Sequence, residues 1–227
     1  MVASLVAAPY RLEMRERWLV AGFAEPWAVV SWAVVNGGWQ RTTQVAWLYL
    51  QANEIAVVID PAEWMRGQMY QERLSGAVGF MTSRRAGAYV EACGSDGDCR
   101  AWAVGTIGLS NALRAGDASG PIFAPGTINL LVCCSQPLTV EAAMEALCLV
   151  SEAKAAALLE SGIKSVRSGL AATGTGTDYL AIASPVVGER TPYTGKHTTA
   201  GAALGQAAYR AVAKGADEWL RDYRGHS

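Results

Sequence analysis

Short apolar runs rich in β-branched residues recur along this chain of 227 residues, and they limit its fold more than any other feature. The runs barely alternate between apolar and polar positions, which is typical of strands covered on both faces. The sequence therefore predicts an α/β or α+β fold, with a single layered domain over residues 1–227 and a mixed β-sheet covered by helices. The predicted strands are Trp18–Ala21, Ala28–Val35, Ile55–Ile59, Ala101–Ile107, Ile128–Cys134 and Tyr179–Ala183.

The longest helix is predicted over Thr139–Ser161. Thr139 is a suitable N-cap, and Gly162 can adopt the left-handed conformation that often follows a helix C-terminus. Residues at helical spacing predict the face that packs on the core. That face consists of Met144, Leu147, Cys148, Ser151, Ala155, Leu158 and Leu159.

A second helix is predicted from Thr198 or Thr199 toward Tyr223. Gly201 and Gly205 lie four residues apart in it. Because glycine in a helix interior otherwise costs about 1 kcal/mol, the pair predicts a close-packing surface. Further patterns predict helices over Pro61–Leu74 and Gln40–Ala52 and a surface turn over Gly94–Asp98.

Composition excludes several classes of protein. Apolar residues make up 51% of the chain and charged residues 17%, against about 25% charged in an average soluble protein. Much of the chain must therefore be buried in a core or at interfaces, including those of a homo-oligomer. With 19 basic and 20 acidic residues and no dense Lys/Arg run, the chain lacks the charge pattern of a nucleic-acid binder.

The sequence also predicts the compartment. No apolar stretch approaches the ~20 residues that cross a bilayer, so no membrane span is expected. Charged residues at positions 11–17 occupy the place of a signal peptide's apolar segment. Five cysteines, an odd number, are expected to be free thiols. Together these features predict a cytoplasmic protein.

Neither a metal site nor a nucleotide loop is expected. Cys133 and Cys134 are neighbours in a predicted strand, so their thiols point to opposite faces. Cys93 and Cys99 could meet around a turn, but no second Cys or His pair completes a tetrahedral site. Gly195-Lys196 precedes a helix, but the surrounding residues do not fit the phosphate-loop spacing. We therefore expect no metal and no cofactor.

Five glycine-bearing polar clusters adjoin predicted strand ends or helix starts. Unpaired main-chain N–H groups at such junctions can face a ligand, so we expect the clusters to converge on one cleft. Ordinary turn chemistry is the alternative for any one of them. The clusters are Asn36-Gly37-Gly38, 106–117, 126–129, Thr173–Asp178 and 195–198.

His197 is the first candidate catalytic residue. The chain has only two histidines, and the other, His226, is next to the last residue. His197 lies at a helix N-terminus beside Lys196, which favours a neutral imidazole that can accept a proton. Asp178 could orient it. The alternative is a histidine that caps or packs.

Thr127 is the second candidate. It follows Gly126 and precedes a predicted strand, so its hydroxyl could act as a nucleophile at the strand start. Asn111 or Asn129 could then donate to an oxyanion. The alternative is a β-branched residue that simply begins a strand.

Tryptophan is concentrated in the first third of the chain. Six of the eight tryptophans lie there, and we expect most of them in the core, with some lining a pocket for a large planar ligand. They are Trp18, Trp27, Trp32, Trp39, Trp47 and Trp64.

Six ordered motifs together resemble those of the adenosylcobinamide amidohydrolase family over about residues 25–213. The motifs are Asn36-Gly37-Gly38, Gly108-Leu109-Ser110-Asn111-Ala112 with Arg114 and Gly116, Gly126-Thr127-Ile128-Asn129, Glu152-Ala153-Lys154, Ala172 to Asp178, and Gly195-Lys196-His197-Thr198. The resemblance implies hydrolysis of the amide between the corrin side chain and aminopropanol. Adenosylcobyric acid would be released for cobamide salvage, and the corrinoid is then substrate rather than cofactor.

The resemblance also suggests site roles. His197 would be the general base, Lys196 and Asn111 electrophilic groups, and Thr127 a possible nucleophile. The substrate-binding candidates are Asn36, Gly37, Gly38, Asn129, Thr175, Thr177 and Asp178.

A fainter similarity points to self-processing aminopeptidases and ornithine acetyltransferases, which cleave their own chain before a Ser or Thr. It implies a cut at Gly126–Thr127, after which the α-amine of Thr127 would act as its base. Water activated by His197 is the alternative. The remaining rivals are a non-catalytic corrinoid-binding protein and a peptidase.

Overall fold

An eight-stranded mixed sheet forms the centre of the computed structural model, which describes residues 7–51, 54, 60–121 and 124–224. The strands are β1 (Tyr10–Arg15), β2 (Trp18–Ser31), β3 (Gly38–Tyr49), β4 (Val78–Thr82), β5 (Val90–Asp96), β6 (Cys99–Ile107), β7 (Ala112–Leu113), β8 (Ile128–Cys134), β9 (Gly174–Thr175) and β10 (Tyr179–Pro185). The helices are α1 (Pro61–Gln71), α2 (Val140–Glu160) and α3 (Thr199–Arg224). The fold is α+β, and the predicted mixed sheet with covering helices is confirmed.

The order of the main sheet is β4-β3-β2-β10-β8-β6-β5, and β1 pairs with the first part of β2. The pairs β3/β4 and β8/β10 are parallel, and the other pairs are antiparallel. The helix α2 connects β8 to the region before β10. The short strands β7 and β9 pair separately, beside the end of the sheet where β6 finishes and β8 and β10 begin.

The sheet curls, so that one face encloses a core and the other carries helices. Asn129 on β8 donates to the main-chain oxygen of Met81 on β4 at 2.7 Å, although three strands separate β8 from β4 in the sheet order. The enclosed face is filled by apolar side chains that include Trp47 and Phe80. The curl brings the ends of β4, β6 and β8 together.

Alternate residues of β8 serve the two faces. Leu131 points into the enclosed core, while Leu130 and Val132 pack with the buried residues of α2 and α3. Helix α1 covers the β2/β3 half of the outer face through Met65. Because both faces are covered there, the central strands β8 and β10 are largely apolar, which explains their weak alternation.

Most of the predicted elements are confirmed. The predicted strands at residues 101–107, 128–134 and 179–183 form parts or the whole of β6, β8 and β10. Thr139 caps α2 by accepting from the main-chain nitrogen of Ala142 at 3.2 Å, and Gly162 has a φ of 75°. No described helix is long and apolar enough to span a membrane.

Three local predictions are wrong. The described part of Gln40–Ala52 contains most of β3 rather than a helix, because the part of β3 that is buried on both faces, residues 45–49, lacks a period that separates it from a buried helix. The strand at Ala28–Val35 ends at Ser31. In Gly94–Asp98 only residues 97–98 turn; Gly94 belongs to β5, beneath α3, where a Cβ would stand 2.2 Å from the oxygen of Ala203. The predicted strand Ile55–Ile59 lies outside the described residues.

The predicted packing faces of both long helices need correction. On α2, Met144 is 55% exposed and Leu159 is 44% exposed, and Cys148 is also exposed. Four of the eight buried residues are alanines, which let the helix approach the sheet closely: Ala142, Ala143, Ala146, Leu149, Val150, Lys154, Ala157 and Leu158. On α3, Gly201 makes a close approach, since its Cβ would stand 2.1 Å from the oxygen of Gly195, but Gly205 has open space.

Candidate active site

Thr127 lies immediately before β8, where three of the five glycine-bearing clusters meet. Its side chain is buried, and its hydroxyl donates to the main-chain oxygen of Thr177. Its own main-chain oxygen accepts from the nitrogen of Gly108 at 2.9 Å. The hydroxyl of Thr177 donates back to the oxygen of Gly126 at 3.5 Å. The clusters 106–117, 126–129 and 173–178 therefore enclose the Thr127 hydroxyl.

Asn111 lies between Gly126 and Gly176. A Cβ on Gly176 would stand 2.7 Å from Nδ2 of Asn111, and a Cβ on Gly126 would stand 2.8 Å from the main-chain nitrogen of Asn111. Both glycines are needed because a larger residue would occupy this space. The side chain of Asn111 is only 4% exposed and forms no hydrogen bond to the described residues.

Two main-chain N–H groups add to this donor set. The nitrogens of Ser110 and Asn111 stand 3.0 and 2.8 Å from the position of a Cβ on Gly126, and neither donates a hydrogen bond within the described residues. Together with the Asn111 carboxamide, they are the kind of donors that stabilise an oxyanion formed next to a nucleophile. The position beside Thr127 can therefore support acyl-transfer chemistry.

A buried ion pair holds the loop 173–178, in which the main-chain oxygen of Thr177 accepts a hydrogen bond from Thr127. Lys154 on α2 binds the carboxylate of Asp178 and donates to the main-chain oxygen of Thr173 at 3.1 Å. The other carboxylate oxygen of Asp178 accepts from the nitrogen and hydroxyl of Thr175, at 3.0 and 2.6 Å. The loop Thr173–Asp178 is thus held in place, because both of its ends are tied to one lysine.

Trp32 lies on the solvent side of the same loop. Its indole nitrogen donates to the main-chain oxygen of Asp178 at 2.7 Å, yet the side chain is 45% exposed. Trp18 and Trp47, in contrast, are buried in the core. Trp27 and Trp64 are partly buried against the core, and Trp39 is exposed like Trp32. The expectation that most of the six lie in the core holds only when the two partly buried rings are counted, and a pocket for a planar ligand stays a prediction. Trp32 is held beside Thr127 through the neighbouring residues 177 and 178.

Asn129 is a buried residue that connects the strands next to Thr127. It is fully buried, and Nδ2 donates to the oxygen of Met81 at 2.7 Å and to the hydroxyl of Thr106 at 3.1 Å. Its Oδ1 atom has no partner among the described residues. The side chain thereby ties β4 and β6 to β8 next to Thr127.

The cluster Asn36-Gly37-Gly38 forms a turn in which Asn36 holds the start of β4. Nδ2 of Asn36 donates to the oxygens of Ser75 and Ala77 at 2.9 and 2.7 Å. Gly37 has no room for a side chain, since its Cβ would stand 3.0 Å from the oxygen of Ala33. Within the described residues, this cluster contacts residues near it or next to β4, and it does not contact Thr127.

His197 and Lys196 are not brought to Thr127, which corrects the expectation of one shared cleft. His197 is exposed, and Gly195 beside it packs against Glu145 on α2. Lys154, which binds Asp178, lies nine residues further along that helix, about 13 Å at 1.5 Å per residue. Lys196 binds Glu152, which is about 200° around α2 from Lys154. Helix α2 therefore separates this pair from Asp178.

The cysteines do not assemble with other ligands. Cys99 and Cys134 lie 3.8 Å apart at their sulfur atoms, so Cys99 meets Cys134 rather than Cys93. Hydrogen bonding with Cys99 and burial raise the pKa of the Cys134 thiol, and burial raises the pKa of Cys133. Among the residues that the structure describes, no three His, Cys, Asp or Glu side chains are grouped as a metal site.

The family is identified by comparison with known proteins. The model of the family described as adenosylcobinamide amidohydrolase matches residues 6–224, nearly the whole chain. The chain belongs to this family. The adenosylcobinamide amidohydrolase assignment agrees with the resemblance that the six motifs predict, and it extends that resemblance at both ends.

Two individual proteins are also similar. An uncharacterized protein of Methanocaldococcus jannaschii is 36% identical over 88 residues, which is 38% of this chain and 34% of that protein. The chain thus matches about a third of the length of this relative. A protein of Pyrococcus horikoshii OT3 with a known crystal structure covers 97% of this chain and 88% of its own, at 12% identity and a TM-score of 0.44.

Lys154 is the residue that sequence reasoning missed. It was visible as a lysine within the motif Glu152-Ala153-Lys154, inside a helix whose neighbouring turns are apolar. A charged residue at a buried helical position needs a partner of opposite charge, since burying an unpaired charge is costly. That requirement, applied to the motif, would have pointed to Asp178.

Proposed function

We propose that this protein is an amidohydrolase that cleaves the aminopropanol amide of adenosylcobinamide and releases adenosylcobyric acid. One observation carries the proposal: in a chain of this family, the buried Thr127 directly follows Gly126, whose Cβ position stands 3.0 and 2.8 Å from the main-chain nitrogens of Ser110 and Asn111. These two N–H groups and the carboxamide of Asn111 have no hydrogen-bond partner within the described residues, so they are available as donors. Amide hydrolysis requires a nucleophile and donors for the oxyanion, and this arrangement offers both.

In the proposed reaction, the oxygen of Thr127 attacks the amide carbonyl carbon and the C–N bond breaks. The leaving amine takes up a proton and departs as aminopropanol. Water then hydrolyses the acyl ester on Thr127, which regenerates the hydroxyl and releases the corrinoid acid. Asn111 and the two N–H groups stabilise the oxyanion in both steps.

Self-processing of the chain would supply the general base that this reaction needs. Within the described residues, no titratable side chain hydrogen-bonds the hydroxyl of Thr127, whose acceptor is the main-chain oxygen of Thr177. A cut at Gly126–Thr127 would create an α-amine on the nucleophile itself, which can accept the proton. The hydroxyl of Thr177, which donates to the oxygen of Gly126, is placed to stabilise the oxyanion of that cut.

Overall, self-processing adds one water molecule across the Gly126–Thr127 peptide bond. The oxygen of Thr127 attacks the carbonyl carbon of Gly126, the peptide C–N bond breaks, and the nitrogen takes the proton to give an ester. Water hydrolyses the ester to a carboxylate on Gly126 and a free Thr127 N-terminus. Intact-mass spectrometry of the purified protein tests this step: we expect fragments 1–126 and 127–227, and a single uncut chain that is fully active would overturn it.

The enzymatic proposal is tested by incubating the protein with adenosylcobinamide in the dark and quantifying products by liquid chromatography and mass spectrometry. We expect equimolar adenosylcobyric acid and aminopropanol. Thr127→Val should lower turnover by roughly 10³-fold or more, whereas Thr127→Ser should retain part of it. Tight corrinoid binding without release of aminopropanol would instead support a non-catalytic corrinoid-binding protein.

A further inference from the structure

A cavity of about 560 Å³ lies between Trp32 and the outward face of α2. Leu147, Cys148 and Ala155 of α2 line one side, and Trp32 lines the other. Lys154 and Thr173 contribute to the lining as well. The volume lies within the range of about 300–1,000 Å³ that small-molecule sites occupy.

Trp32 is oriented, but its ring is not covered. The hydrogen bond from its indole nitrogen to the oxygen of Asp178 fixes the ring, while 45% of the side chain remains exposed. Indole rings bury most of their area in cores, as Trp18 and Trp47 do here. A fixed, open aromatic face is suited to a flat partner.

The outward face of α2 carries large apolar side chains among its exposed residues, alongside Glu141 and Glu152. Met144 is 55% exposed and Leu159 is 44% exposed, on the same side of the helix as the exposed Cys148. A soluble protein normally places polar residues on this side of a surface helix. Large apolar side chains that continue a cavity beside a candidate active site indicate that a ligand covers them.

The cavity adjoins Thr127 through the clamped loop. Asp178, which accepts from Trp32, follows Thr177, whose oxygen accepts from the hydroxyl of Thr127. Lys154, which lines the cavity, binds the same Asp178. A ligand held against Trp32 therefore contacts the same loop as the candidate nucleophile: residue 178 bonds Trp32, and the preceding residue 177 bonds Thr127.

A second cavity, of about 480 Å³, lies on the other side of residues 108–110. Its lining includes Arg84, Arg85 and Asp222, and Arg84 binds Asp222 at 2.6 Å. Charged walls are a poor match for the apolar face of a macrocycle, because that face would desolvate the charges. The cavity at Trp32 also has two charged residues in its lining, but Lys154 binds Asp178 and Glu152 binds Lys196, and the other lining residues are uncharged. This cavity is the better match.

From these observations we infer that the cavity between Trp32 and α2 receives the corrin macrocycle of the substrate, with one face of the ring against the indole. This inference rests on the proposed function, since the corrinoid class follows from it. The cavity is smaller than a complete corrinoid, so it would hold part of the ring while the amide side chains remain in solvent. The scissile amide would then reach Thr127 along residues 177–178.

The two exposed free cysteines provide a test that does not depend on turnover. Cys148 lines the cavity, whereas Cys93 lies on β5, outside it. The uncleavable product adenosylcobyric acid is the probe, and N-ethylmaleimide modification of each cysteine is followed by peptide mass spectrometry. At about ten times its Kd, the corrinoid should slow modification of Cys148 by about tenfold and leave Cys93 unchanged. Equal rates at Cys148 with and without bound corrinoid would overturn the inference.

Kinetics of tryptophan variants give the second test. Trp32→Ala should raise KM for adenosylcobinamide by about tenfold with little change in kcat, and Trp32→Phe, which retains a ring without the donor, should remain near the parent. Trp39→Ala is the matched control, because Trp39 is 46% exposed but lies outside this cavity. A fall in kcat alone in both Trp32 variants would show that Trp32 only supports the loop and would overturn the inference.

Two further outcomes separate the inference from the function on which it rests. If Trp219→Ala raises KM while Trp32→Ala does not, the ring binds in the second cavity, which Trp219 lines, and the inference fails while hydrolysis stands. If the parent protein neither binds nor hydrolyses corrinoids, the proposed function itself fails. Parent-like KM in both Trp32→Ala and Trp219→Ala also contradicts the inference.

Discussion

Lys154 and Asp178 form a buried ion pair that joins helix α2 to the loop holding Thr127. Their side chains are 8% and 12% exposed, so the pair is largely removed from water. Each partner has further bonds, from Lys154 to Thr173 and from Thr175 to Asp178. Because the oxygen of the intervening Thr177 accepts from Thr127, the ion pair determines the orientation of the candidate nucleophile.

Removing one partner of this pair should destabilise the protein strongly. Lys154→Met leaves the Asp178 carboxylate buried without its cation, and breaking buried pairs in this way costs about 3–5 kcal/mol. Urea unfolding measures the loss. Lys154→Met combined with Asp178→Asn should cost less than Lys154→Met alone, since no uncompensated charge remains. A loss in the double variant equal to the sum of the losses in Lys154→Met and Asp178→Asn measured singly would show that the pair does not couple.

Gly176→Ala should lower activity without a large loss of stability. The new Cβ would stand 2.7 Å from Nδ2 of Asn111, the free end of a side chain that can move away, so the donor is displaced while the fold persists. Loss of one oxyanion donor lowers kcat by about 10²–10³-fold. Gly205→Ala on α3 is the control: it meets open space, should leave kcat unchanged, and should raise the free energy of unfolding by about 0.5–1 kcal/mol. A normal kcat in Gly176→Ala argues against Asn111 as a donor.

His197→Ala distinguishes the two candidate bases. Because His197 is exposed and α2 separates it from Asp178, we expect turnover within about threefold of the parent, compared with the 10²–10⁴-fold loss typical of a missing general base. Steady-state kinetics at several pH values measure this. A large loss of kcat with normal stability would restore His197 as the base and remove the need for self-processing.

Stability should fall in alkaline solution through buried tyrosines. Burial raises the pKa of Tyr49 to about 12, from an ordinary value of 10. The unfolded chain therefore loses this proton at lower pH than the folded protein does, so the contribution is intact below pH 10 and is lost as pH rises toward 12. The slope reaches about 1.4 kcal/mol per pH unit for one group.

Thermal unfolding of the parent and of Tyr49→Phe between pH 8 and 12 measures this effect. We expect the variant to lose less stability over the alkaline part of that range. A smaller decline should persist in it, because burial also raises the pKa of Tyr10. Identical pH profiles for the two proteins would contradict the assignment to Tyr49.

Local signals were sufficient for much of the fold. Thr139 and Gly162 mark the ends of α2 because a cap and a left-handed residue act within one turn of the helix. The strand Ile128–Cys134 was also readable, since seven successive apolar or buried positions bounded by a turn leave few alternatives. The segment 40–52 was not, because residues 45–49 of β3 are apolar and buried on both faces and have no distinguishing period.

The sequence alone determined the family and placed Thr127, Asn111 and the loop 173–178 among the candidates, because those motifs are contiguous and their chemistry is local. Only the tertiary structure decided which candidates meet. The order of strands β6, β8 and β10 joins three glycine-bearing clusters, and α2 keeps His197 apart from them. It also decided that four alanines of α2 pack inward while Met144 and Leu159 remain exposed, since the smallest residues allow the closest approach to the sheet.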